Sequence, residues 1–408
     1  MKTVKTLCDP VASVFESSRA NTVANIADLN SGQIDVGRFF QENHVTDGMR
    51  TLLTQVYDRL LGSSPQGVFR LKQAMGGGKT HNLIAAGLLA RHPDWRQKVL
   101  RELGRTVSSD PVRLAAFDGR ETDTKDYIWV EIFRKLDVLN KWTGGATDVP
   151  GPTTWANVIG PGPALIVLDE MPPYLEYLSM RKAGVDQTEA DRVTLGLANL
   201  MNAIMTNQLP HCCLVITDLI SSWEKGSAAI NEAVEKTLKQ LNQEATRVSL
   251  DITPVRPDGT EVYAILRKRL FSKLPGDAEV AEVSKGYAKA YRTAIQQKVM
   301  PESLDRWAHE VSRTYPFHPG MEDLFARFRE NPGFQQTREI IRIARKMVGS
   351  VWQREGYDPV LIHPHELDFQ RPGRGQSFGR DQREPSKCAQ PRCFEERRRH
   401  SRGTIASR

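Results

Sequence analysis

The spacing of apolar positions changes repeatedly along the chain as far as Leu270. From Thr46 to Leu60 the residues Met49, Leu52, Leu53, Val56, Tyr57 and Leu60 recur every three or four positions. That spacing predicts a helix with one buried face, capped by Thr46 and with Asp47 suited to its first turn. Gly67 to Leu71 reads as a strand, followed by a glycine-rich loop and a helix from Lys79 to about Arg91. Pro111 to Gly119 is a second strand, and Ile128, Trp129, Ile132, Phe133, Leu136 and Leu139 mark the stripe of a helix after it. "ALIVLDEMPPY" holds five apolar residues, as a strand buried on both faces requires, and Pro172 and Pro173 end it. A helix over Thr188 to Thr206, a buried strand "CCLVITD" and a helix over Gly226 to Gln243 follow. Then come "RVSLDITPV", in which Val248, Leu250 and Ile252 alternate, and a helix from Thr260 to Leu270.

Strand and helix alternate five times, which predicts an α/β fold with a five-stranded, mostly parallel sheet and helices on both faces. Beyond Pro275 strand signals cease, while Pro301 to Phe328 and Thr337 to Arg354 keep a helical period. The organisation expected is an N-terminal helical segment (1–62), an α/β domain (63–274), a small all-helical unit (275–369) and a tail (370–408).

Composition changes this picture mainly at the tail. From Gln370 to Arg408 there are 11 Lys+Arg against 4 Asp+Glu, a surplus of 7 that equals the surplus of the whole chain, so the preceding residues are neutral. An argument from basicity to nucleic acid concerns the tail alone. Its Arg/Pro/Ser/Gly/Cys mixture cannot bury a core and reads as a disordered basic arm or as the product of a shifted reading frame. Five cysteines do not make a disulfide framework, and Cys212 and Cys213 sit in an apolar strand where packing explains them. No apolar run reaches the roughly 20 residues a membrane span needs. Asp9 and Pro10 interrupt any leader, so a cytoplasmic protein is expected.

Chemistry concentrates in "QAMGGGKTH". The phosphate-loop pattern G-x-x-x-x-G-K-[ST] is met by Gly78, Lys79 and Thr80, with Gln73 in place of the first glycine. Gly76, Gly77 and Gly78 can turn successive amides toward a phosphate, Lys79 supplies an ammonium and Thr80 a hydroxyl for Mg²⁺. An acidic residue at the end of a buried strand would hold the same metal: Asp169 fits, and Glu170 beside it could polarise a water for attack on the γ-phosphate. A polar residue should end a strand lying between those two, and "LVITDL" offers Thr217 and Asp218. His363 with His365, and Cys388, Cys393 and His400 in the tail, have weaker claims as metal ligands.

Taken together, "CDPVASVF", "FFQENHVTDGMRTLL", "FRLKQAMGGGKTHNLI", "ALIVLDEMPPYLEYL", "TPVRPDGTEVYAILRKRLF", "TYPFHPGMEDLF" and "FQQTREIIRIARKMV" resemble the large prokaryotic proteins of domain-of-unknown-function family 499 (DUF499). The likeness covers nearly all of residues 8–369. It implies an AAA+-like P-loop NTPase of the initiator kind, with ATP and Mg²⁺ bound by Gly76, Gly77, Gly78, Lys79, Thr80 and His81. The motif "MGGGKTH" with Gln73 ahead of it is typical of that group. The resemblance makes the helical unit a lid, with Arg338, or less suitably Arg342, touching the γ-phosphate. Arg247 would reach a neighbouring subunit's site, which implies a homo-oligomer. It also implies hydrolysis coupled to remodelling of DNA or of an anti-phage defence complex, with DNA methyltransferases and helicases as partners. The alternative is a non-hydrolysing, nucleotide-dependent scaffold or switch. Relatives continue past the lid, whereas here the likeness dissolves near "HPHELDFQ".

Overall fold

Apolar runs flanked by turn residues become the strands of this fold, and the amphipathic stretches between them become its helices. The computed structural model describes residues 1–16, 25–73, 76–106, 108–120, 126–145, 147–185, 187–217, 239–256, 260–301, 306–330, 334 and 336–367. Among these, seven strands form: Asp9–Pro10 (β1), Val68–Leu71 (β2), Arg113–Asp118 (β3), Ala164–Asp169 (β4), Cys212–Thr217 (β5), Leu250–Ile252 (β6) and Phe271–Lys273 (β7). The helices through the sheet region are Val4–Leu7 (α1), Ile26–Ser31 (α2), Val36–Glu42 (α3), Asp47–Leu60 (α4), Lys79–Arg91 (α5), Pro93–Glu102 (α6), Ile128–Lys135 (α7), Pro152–Ile159 (α8), Met171–Ser179 (α9) and Glu189–Met205 (α10). Residues 239–248 are helical (α11). Thr260–Leu270 (α12), Asp277–Gln296 (α13), Arg306–Thr314 (α14), Met321–Arg329 (α15) and Gln336–Gln353 (α16) follow.

Five strands make one parallel sheet in the order β3-β4-β5-β2-β6. All six residues of β4 and of β5 are buried, and alternate side chains serve opposite faces. Ile166, Leu168, Leu214 and Ile216 join the core of α7 to α10. Leu165, Val167, Val215 and Phe69 join the core of α2 to α6. Each such aliphatic side chain contributes about 1.5–3 kcal/mol by leaving water. Cys212 and Cys213 are free, buried and divided between the two faces, which is the packing role expected of them.

A third core is built by helices. Val262, Tyr263, Leu266 and Leu270 of α12 pack with Ile340, Ile343, Met347 and Val351 of α16 and with Val311 and Phe325. Val4, Leu7, Cys8 and Val14, from the start of the chain, join this core, and β1 pairs antiparallel with β7. Among the described residues no helix is long and apolar enough to cross a membrane.

Three expectations are corrected. The stripe ending at Leu139 is two elements, because Asp137 adopts a left-handed φ of 58° that breaks α7 before the 3-10 turn Leu139–Lys141. Pro172 and Pro173 open α9 rather than merely ending a strand, since a proline in the first turn gives up an N–H that has no intrahelical acceptor. Val248 belongs to α11, and β6 is a three-residue edge strand whose Leu250 is 42% exposed, so its alternation does not sort inside from outside.

Candidate functional site

In a parallel sheet all the C-terminal strand ends open on one edge, and there the singled-out side chains gather. β2 leads into the glycine loop and β4 ends in Asp169. Between them stands β5, ending in Thr217, with Leu71 opposite Thr217 and Leu168 opposite Ile216. The expected intervening strand is therefore present. Asp218 lies outside the described residues.

The loop glycines are required for different reasons. Gly76 and Gly78 have left-handed φ values of 77° and 91°, where a Cβ is strained. A Cβ on Gly77 would stand 2.5 Å from Gln73 Cγ and Cδ, so the glutamine side chain fills the space beneath the loop. Gly78 caps α5, whose first residues are Lys79 and Thr80. Lys79 is 8% exposed, and its Nζ donates to the Gln73 carbonyl at 2.5 Å.

Thr80 Oγ1 donates to Asp169 Oδ2 at 2.5 Å, which joins the loop helix to the acidic strand end. Asp169 is 2% exposed, and its Oδ1 also accepts the Glu170 N–H at 3.0 Å. Burial pushes the Asp169 carboxyl above its ordinary range; bonds from Thr80 and Thr217 oppose the shift and Asp118 adds to it. Glu170 holds φ 47°, ψ 41°, a left-handed conformation that only a tightly determined junction keeps in a non-glycine residue. Burial and then Asp169 raise its pKa, against Arg120 and Lys79; its Oε1 lies 3.6 Å from Arg120 Nη2.

Asp118 was not singled out in the sequence. It ends β3 directly opposite Asp169 and raises the pKa of both acidic neighbours. The signal was present in "AAFDG", an acidic residue and a glycine closing a strand. Gly119 donates its N–H to the Asp169 carbonyl at 2.8 Å, and a Cβ there would meet the Glu170 carbonyl at 2.1 Å.

The remaining candidates are placed elsewhere. His81 stacks on Phe39 with ring centroids 4.5 Å apart, and burial, then the Arg269 guanidinium, push its pKa down to about 3. Arg338 lies in the first turn of α16, and Arg342 is paired with Glu339 at 3.0 Å. Arg247 is exposed, paired with Glu244 at 2.9 Å, and precedes the N-terminal end of β6; within one chain it stands at the sheet edge opposite the loop. His363 bonds Tyr287 at 3.0 Å and stacks on His365. Among the described residues no group of three or more His, Cys, Asp or Glu side chains could by itself hold a metal.

A parallel sheet whose central strands bring a glycine loop, a lysine and an acidic pair to one edge defines a mixed α/β protein. Residues 8–108 match the DUF499 N-terminal domain and residues 258–374 match the DUF499 second domain. The chain belongs to the DUF499 family. The loop lies in the first match and α12 to α16 in the second; Asp169, Glu170 and Thr217 fall between them. No curated protein matches the chain.

Proposed function

We propose that the chain is an AAA+-like P-loop NTPase that binds Mg-ATP at this edge and hydrolyses it, with the helices of the third core as its lid. The observation that carries this reading is the 2.5 Å contact between Thr80 and Asp169, beside a lysine whose ammonium is held at the loop. The donors fit the group: a hydroxyl and a buried carboxylate are ligands that suit Mg²⁺, with phosphate oxygens and water completing its shell. When bound, the metal would neutralise charge on the phosphates. Lys79 and the loop amides orient the triphosphate, and Thr217 holds Asp169 in place through its hydroxyl. Glu170, with its raised pKa, accepts a proton from the attacking water. The DUF499 resemblance supplies the proposed use of that energy, which is remodelling of DNA or of a defence complex by a homo-oligomer.

Glu170→Gln keeps the side chain's size and removes its basicity. ATP binding should stay within about threefold of wild type while turnover falls on the order of 100-fold or more. Undiminished turnover in that variant would remove Glu170 from the chemistry.

A further inference from the structure

The glutamine that stands where a phosphate loop usually has glycine is also where the loop is tied to the helical unit. We propose that Gln73 is a positioning residue that couples phosphate held at the loop to α12, by way of residues 253–256 and Glu261. The inference rests on the nucleotide reading above and names how that site communicates with the rest of the chain.

The connection is continuous in hydrogen bonds. The Gln73 carbonyl accepts from Lys79 Nζ. Its side-chain amide makes a reciprocal pair with one residue: Nε2 donates to the Val255 carbonyl at 3.1 Å, and Oε1 accepts the Val255 N–H at 3.0 Å. Only one orientation of the amide satisfies both, and the flipped one would set donor against donor and acceptor against acceptor. The next residue, Arg256, donates its N–H to Glu261 Oε2 at 2.8 Å. Glu261 Oε1 accepts the Asp47 N–H at 2.6 Å, and Arg256 pairs with Asp47 at 2.6 Å. The Pro254 carbonyl accepts the Thr46 hydroxyl at 2.6 Å, and a Cβ on Gly48 would stand 2.0 Å from the Thr253 carbonyl. Residues 253–256 are thus clamped between the glycine loop, the start of α4 and Glu261. Glu261 is 8% exposed and lies in the first turn of α12, whose Val262, Tyr263, Leu266 and Leu270 belong to the third core.

A phosphate oxygen near Lys79 competes with the Gln73 carbonyl for the same ammonium protons. Any displacement of residue 73 reaches Val255 through two bonds of fixed polarity, and the Arg256–Glu261 bond hands it to α12. A glycine at this position would bind phosphate equally well and transmit nothing through a side chain. This gives the departure from the usual pattern a physical purpose.

The test is hydrogen–deuterium exchange of the whole chain with and without Mg-ATP, comparing wild type, Gln73→Leu and Glu261→Gln, with binding of a fluorescent ATP analogue measured in parallel. In wild type, ATP should slow exchange about threefold or more at the Val255 amide and along α12. Gln73→Leu should bind the analogue within about threefold of wild type yet lose the response at both places. Glu261→Gln should keep the response at Val255 and lose it at α12, a split that general loosening of the fold would not produce. If Gln73→Leu does not fold, the Glu261→Gln comparison decides alone. A wild-type α12 indifferent to bound ATP, or a variant whose α12 responds as wild type does, overturns the coupling. Failure of wild type to bind the analogue overturns the nucleotide reading instead.

Discussion

At the scale of single residues, the site depends on how closely three backbones approach. Gly119 shows how close, since any Cβ there would lie 2.1 Å from the Glu170 carbonyl. Gly119→Ala must therefore push the β3 end away from the junction that holds Glu170 at positive φ. An error near 1 Å at a reacting group costs about 100-fold, so Gly119→Ala should lower ATP turnover by tens to hundreds of fold. ATP binding through the loop should be little changed. Steady-state hydrolysis alongside a binding titration checks this, and full activity would mean that the junction tolerates displacement. That the glycine loop, Asp169 and Glu170 meet at one edge was legible in sequence, because a glycine run between strand and helix and an acidic pair after an apolar run both fall at strand ends. The Val255 partner of Gln73 was not, because pairing register is invisible in a linear pattern; Asp118 left a signal at the end of its strand, but its place opposite Asp169 follows from register alone.

At the scale of elements, the central strands and the helix from Asp47 to Leu60 were legible because burial on two faces or one leaves a clean period. Thr46 caps α4 as expected, accepting the Met49 N–H at 3.1 Å. The alternation expected of the edge strand was misread because β6 is only three residues long and buries Ile252 alone, while its Asp251 is tied to β2 by charge. Buried Arg70 on β2 forms two 2.8 Å bonds to Asp251 on β6 and further bonds to Asn242 and Thr246. That guanidinium holds the Asp251 carboxyl below its ordinary range. Asp251→Ala leaves Arg70 with its neutral partners only. Because Asp251 is partly exposed, the cost should be about 1–2 kcal/mol, seen as a lower urea midpoint at unchanged slope. An unchanged midpoint would show that β6 is held by its backbone ladder alone.

At the scale of the whole molecule, two histidines link its stability to pH. Burial pushes His81 and His318 down to about 3; His318 also feels His363 and His365. Both stay neutral in the folded chain, whereas in the unfolded chain they take up protons below about pH 6.5. Their contribution is complete above that value and is lost as pH falls toward 3, at up to about 1.4 kcal/mol per pH unit for each histidine. Urea unfolding at pH 7, 6 and 5 should show this decline, and a flat profile over that window would contradict the burial of these rings. The most direct test of the central claim is a calorimetric titration of the chain with Mg-ATP, repeated with Lys79→Ala. Saturable binding by wild type, weakened on the order of tenfold or more in the variant, is the predicted result. Equal binding by the two proteins, or none by wild type, would contradict the nucleotide site.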